Sequence, residues 1–115
     1  MNVYLDDLRD CPKGFTLART MEQALEYIRK GNVNILSLDH DLGLDDNHQL
    51  RPTGYDLVKI FCEEGLKVES IYLHTDNPVG RDNMYHTLLG AQRRGFISKD
   101  IAIHHYSITE NKYTE

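Results

Sequence analysis

The sequence has no tryptophan, only two cysteines and three prolines, and no long apolar run. Each scarcity excludes something. Cys11 and Cys62 form no close-spaced metal motif and no dense disulfide framework, so the chain reads as a reduced, cytoplasmic protein with Cys62 in a core. No stretch approaches the ~18 apolar residues of a membrane span, so no membrane association is expected. The start, Met1-Asn2-Val3-Tyr4-Leu5-Asp6-Asp7, lacks the basic-then-apolar layout of a signal peptide. Basic charge is also scarce: 13 Lys+Arg stand against 18 Asp+Glu, with formal net charge -5. A protein that grips long nucleic acid through its phosphates carries a basic stripe. None is present, so no extended nucleic-acid binding is expected. A small phosphorylated ligand stays open, because one or two arginines and a helix N-terminus can hold it.

What is present is enough for one domain over residues 1–115, with 40% hydrophobic residues. Val3–Leu5 reads as a buried strand ending in Asp6 and Asp7. Pro12 and Gly14 mark a loop, and Phe15–Ala18 a second short strand. Thr20 and Gln23 have the spacing of a capping box. Met21, Ala24, Leu25 and Ile28 recur at helical spacing until Gly31. Val33–Leu38 is a strand that runs into Asp39-His40-Asp41. Residues Leu44–Pro52 read as a flexible surface loop. Thr53 caps a second helix, with Asp56 near its positive end, and Gly65 stops it. Val68–Leu73 leads into His74-Thr75, and Pro78 sits in the first turn of a third helix. Ile101–Ile103 begins a last strand, and the polar tail from Thr109 to Glu115 is expected to fray.

Strands alternating with amphipathic helices predict an α/β domain with a mainly parallel sheet and helices on both faces. Ligands in such sheets bind beyond the carboxyl ends of the strands. Three of those ends carry polar clusters here: Asp6/Asp7, Asp39/His40/Asp41 and His74/Thr75. Carboxylates gathered at close quarters repel unless a cation neutralises them, and an oxygen-rich set suits Mg²⁺. Asp6, Asp7 and Asp39 are therefore the expected divalent-cation ligands. His40 and His74 are candidate general base and acid, with Asp41 orienting a histidine. The alternative is that the imidazoles are themselves metal ligands. Asn77-Pro78-Val79-Gly80-Arg81 opens a helix beside the mouth. There Gly80 permits close approach of an anion, Arg81 grips it, and Asn77, Thr75 and Arg9 complete a phosphate-binding set, the alternative for Arg9 being that it balances Asp6 and Asp7. Of His104 and His105, alternation along a strand points one toward the mouth.

Asp6-Asp7, the strand Leu36-Ser37-Leu38-Asp39, Gly54-Tyr55-Asp56-Leu57 and Thr75 together resemble response-regulator receiver domains. The departures are that no helix fits between Leu5 and Phe15, and that His104-His105 stands where a Lys-Pro follows the last strand. A nearer resemblance is to a divergent receiver-like family described as cyclic-phosphate processing. Val3–Arg9, Leu36–Gly43, Gly54-Tyr55-Asp56 and His74–Arg81 look like its motifs, and Arg19-Thr20 also fits. Thr75-Asp76 stands where smaller residues, often Ser-Ala, are usual.

The resemblance implies a three-layer, flavodoxin/receiver-like fold of strand order 2-1-3-4-5 that lacks the usual first helix. It also implies action on a cyclic phosphate of a nucleotide or RNA end. The expected function is thus a phosphodiesterase-like hydrolase, metal- and histidine-assisted. The alternatives are a non-catalytic cyclic-nucleotide-binding module and a degenerate receiver regulating a protein partner.

Overall fold

The computed structural model describes residues 1–108. The tail from Thr109 to Glu115, expected to fray, lies outside the described residues. The elements run β1 (Asn2–Leu5), β2 (Thr16–Ala18), α1 (Met21–Arg29), β3 (Ile35–Leu38), α2 (Gly54–Glu64), β4 (Ser70–Leu73), α3 (Pro78–Arg93) and β5 (Ala102–His104). They form one sheet of order β2-β1-β3-β4-β5, parallel throughout. This is the α/β receiver-like, flavodoxin-like order expected, with no helix between β1 and β2.

The core follows from strand alternation. Val3, Leu5, Leu36, Leu38, Ile71 and Leu73 are buried on one face. Leu25 and Ile28 of α1, Leu57, Val58 and Phe61 of α2, and Met84 and Leu88 of α3 pack over them. The helices gather on this single face. The crossovers β2–α1–β3, β3–α2–β4 and β4–α3–β5 all step the same way along the sheet, and a right-handed crossover places each helix on the same side. Accordingly α1 packs on α2, and α2 on α3. Only the β1–β2 connection steps the other way, and it is a loop. The expectation of helices on both faces is therefore corrected: among the described residues the second face carries none. Phe15 covers Tyr4 there edge-on, with ring centroids 6.0 Å apart. No helix among the described residues is long and apolar enough to cross a membrane.

Three local expectations change. The Thr20 hydroxyl accepts from Gln23 N at 3.2 Å, but the Gln23 side chain reaches back one residue further and accepts from Arg19 N at 2.7 Å. The reciprocal capping box is at the next helix, between Thr53 and Asp56. The supposedly flexible loop after β3 closes on itself: Arg51 N donates to Gly43 O, Leu44 and Leu50 bridge, and the Asp45 carboxylate accepts from Asn47 N and Gln49 N. Cys62 is half-buried against the core, and that burial pushes its thiol up to about 11.

Candidate functional site

Parallel pairing sets the strand ends side by side. Leu5, Leu38 and Leu73 are in register. The ladder continues one residue further, with Asp39 N donating to Leu5 O at 2.9 Å and His74 N to Leu38 O at 3.0 Å. Asp6, Asp39 and His74 therefore follow their strands in step and emerge on the face opposite the leucines. They form the one set among the described residues whose ligand atoms, one per residue, all lie within 4.8 Å of one another.

His74 is buried, with 3% of its surface exposed. Its ring lies flat on Tyr4, 4.0 Å between centroids. Nε2 is 3.0 Å from Asp6 Oδ2 and Nδ1 is 2.7 Å from Ser37 Oγ. Burial alone would raise the Asp6 carboxyl. Hydrogen bonds from His74 and from the N–H groups of Arg9 and Leu8 outweigh it and hold Asp6 at about 2. Asp39 goes the other way: burial and the neighbouring Asp6 charge push its carboxyl up. Asp39 is half-buried beside the ionised Asp6, and a cation between the two would relieve their repulsion.

Asp6 and Asp39 open into a hollow of about 350 Å³ whose wall also carries Asp7, Arg9, Asp41, Thr75, Asp76 and Asn77. Five carboxylates face it against one guanidinium. Arg9 pairs with Asp76, lies 4.0 Å from Asp6 and donates to His74 O at 3.4 Å, so much of its charge is already engaged. Thr75 is buried; its hydroxyl accepts from Asn77 N at 3.1 Å and bonds to Asp39. His40 stands behind Asp41 and Asn77, its Nδ1 2.9 Å from Asp41 Oδ1 and 3.4 Å from Asn77 Nδ2.

Several expected placements are corrected. Asp7 does not join the close cation set; His74 takes that place. Asp7 turns toward Gly43, where a side chain would begin 2.9 Å from its Oδ2. What approaches Gly80 is the His40 ring rather than an anion: a Cβ at Gly80 would lie 2.5 Å from His40 Cγ and Cδ2. The Gly80 N–H is spent on the Asn77 cap at 3.0 Å. Arg81 donates to Thr75 O at 3.4 Å and is not among the residues that line the hollow. Neither His104, the last residue of β5, nor His105 lines the hollow. His104 stacks on Tyr72 at 4.3 Å, and His105 Nε2 bonds Asp82 at 2.6 Å. Tyr4 and Ser37, which fix the His74 ring, were not singled out from sequence. Ser37 does carry a signal, being a polar residue in an apolar strand two positions before Asp39, hence on the same face.

Residues 1–90 match the family model for the cyclic-phosphate processing receiver domain. The chain belongs to that family. No curated protein and no solved structure matches it. The match ends within α3, so it spans every residue of the acidic hollow and of the Asp6–Asp39–His74 set. In this cyclic-phosphate processing receiver domain the ends of β1 and β3 carry Asp6 and Asp39, and the end of β4 carries the buried imidazole of His74.

The donor set fits a divalent cation. Two carboxylates and one imidazole converge, and Nδ1 of the imidazole is held by Ser37, the outer-shell partner that metal-binding histidines usually have.

Proposed function

We propose that the protein hydrolyses a cyclic phosphate ester of a nucleotide or RNA end, with Asp6, Asp39 and His74 as ligands of a divalent cation. The convergence of those three residues at adjacent strand ends carries the reading. An anionic substrate has little reason to enter a hollow of five carboxylates unless their charge is offset. The nitrogen ligand moves the expected ion from Mg²⁺ toward a transition metal that accepts imidazole beside carboxylates, such as Mn²⁺. When bound, such an ion supplies Lewis-acid stabilisation of phosphoryl charge and a more acidic water.

The remaining work falls to this chain's own side chains. Asp41, which faces the hollow and is held by His40 Nδ1, takes the proton of the attacking water. Water oxygen forms one new P–O bond, one ring P–O bond breaks, and the departing oxygen takes a proton from solvent, leaving a phosphomonoester. His74, with Nδ1 held by Ser37, would ligate through Nε2 in place of its bond to Asp6, which makes it a ligand and positioning residue here rather than the acid. Asn77 and Thr75 orient the phosphate from the α3 side of the hollow.

The test is ring opening followed by ³¹P NMR on a panel of 2',3'- and 3',5'-cyclic nucleotides, with Mn²⁺, with Mg²⁺ and after chelation. Turnover is expected only with metal, and Asp39→Asn should lower it on the order of 10³-fold. Tight binding across the panel with no ring opening would overturn the hydrolase reading in favour of a binding module.

A further inference from the structure

The acidic hollow shares a wall with a second one, about 410 Å³, on the far side of Asp7, Leu8 and Gly43. Its balance is reversed: two guanidinium groups stand against one carboxylate, Asp7 of the shared wall. Arg19 and Arg51 line it, and both guanidinium groups are placed by neutral backbone carbonyls. Arg19 Nη1 donates to Arg9 O at 2.9 Å and Asp6 O at 3.4 Å; Arg51 Nε donates to Leu44 O at 3.2 Å. Arg51 makes no ion pair among the described residues, and Arg19 has only exposed Asp10 at 3.9 Å. Two oriented cations are thus left largely uncompensated, the arrangement that suits a phosphate. Beside them stand apolar side chains given to solvent: Leu8 is 83% and Leu44 54% exposed, and both line the hollow. A flat apolar ring would cover them.

We propose that this second hollow binds a second phosphate of the same ligand together with the ring that accompanies it. The substrate is then a cyclic phosphate joined to a further phosphate-bearing nucleotide unit, and not an isolated cyclic mononucleotide. The proposal rests on the acidic hollow being the cyclic-phosphate site. Because the hollows share the wall of Asp7, Leu8 and Gly43, one ligand crossing it meets both: acids and metal for the reacting phosphate, arginines for the spectator.

Calorimetry with three probes tests it, on the metal-loaded wild type and on Arg51→Ala and Arg51→Lys. The probes are a nucleoside 2',3'-cyclic phosphate with a 5'-hydroxyl, the same with a 5'-phosphate, and a dinucleotide ending in a 2',3'-cyclic phosphate. A second phosphate should tighten binding at least about tenfold. Which of the last two probes gains more tells a terminal phosphate from an internucleotide one. Arg51→Ala should remove that gain while leaving affinity for the 5'-hydroxyl probe unchanged, and Arg51→Lys should restore part of it. A thermal melt checks that both variants fold. Equal affinity for all three probes, or a gain that survives Arg51→Ala, overturns the proposal. An Arg51-dependent gain without ring opening would sink the hydrolase reading and spare this one; ring opening without a gain would do the reverse. No binding of any probe overturns both.

Discussion

The two hollows on either side of Gly43 hold their charge in different ways. In the acidic one the key groups sit at strand ends. Asp6 and His74 are buried, and their positions are fixed by sheet register and by Ser37 and Tyr4 beneath them. In the basic one the charges come from loops. Arg19 precedes α1, Arg51 closes the hairpin after β3, and both hang from backbone carbonyls with apolar neighbours in solvent. Register places atoms to within tenths of an ångström and resists displacement; loops tolerate a range of ligand shapes. On the proposed reading, the first hollow does the chemistry and the second selects the ligand.

The comparison breaks first if the acidic side is loosened. Gly80→Ala improves the helix by up to about 1 kcal/mol in propensity. Its Cβ would nonetheless press into the His40 ring. Turnover is expected to fall about 10- to 100-fold, since a misplaced group of this kind costs that much. The melting temperature should hold, and the affinity gain from a second phosphate should be untouched. Loss of stability with full activity would show that the His40 placement does not matter.

A smaller effect sharpens the comparison from outside both hollows. Asp56 caps α2, and its carboxyl is held below the usual range by the Thr53 N–H and by Lys59. A folded value below the unfolded one stabilises the fold above about pH 4, and that contribution is lost as pH falls through the folded value. Asp56→Asn should cost about 0.5–1 kcal/mol near neutrality, kept low by the residue's exposure. In melting curves the gap between wild type and variant should close as pH drops below the ordinary aspartate range, with turnover near neutrality unchanged. A gap that stays constant with pH would mean the cap does not depend on charge.

Much of the fold was legible. Apolar runs and helical spacing located all eight elements, and alternation of strand and helix gave the parallel sheet. The single-sided helix layer was not seen, although it follows from the missing β1–β2 helix once crossover handedness is applied. At the site, the polar clusters after three strands were the right signal, because carboxyl ends of parallel strands must face one mouth. Which member of each cluster points inward was beyond reach. Asp6 and Asp7 differ by one residue, hence by one face; in the fold Asp6 turns in toward His74 while Asp7 turns to Gly43. Arg81 and Gly80 misled because a helix N-terminus beside a mouth reads as an anion cradle. Here Asn77 caps it and His40 packs on it. Arg51 was hidden in what read as a flexible loop, since the bonds that close that hairpin leave little mark in composition.

The difference between Asp7 and Asp39 gives the most direct test of the cation site. Calorimetric titration of Mn²⁺ into the metal-free protein should show one equivalent bound by the wild type and by Asp7→Asn. In Asp39→Asn that binding should be lost. If Asp7→Asn abolishes binding as fully as Asp39→Asn, or if the wild type takes up no ion, the Asp6–Asp39–His74 centre does not exist as described.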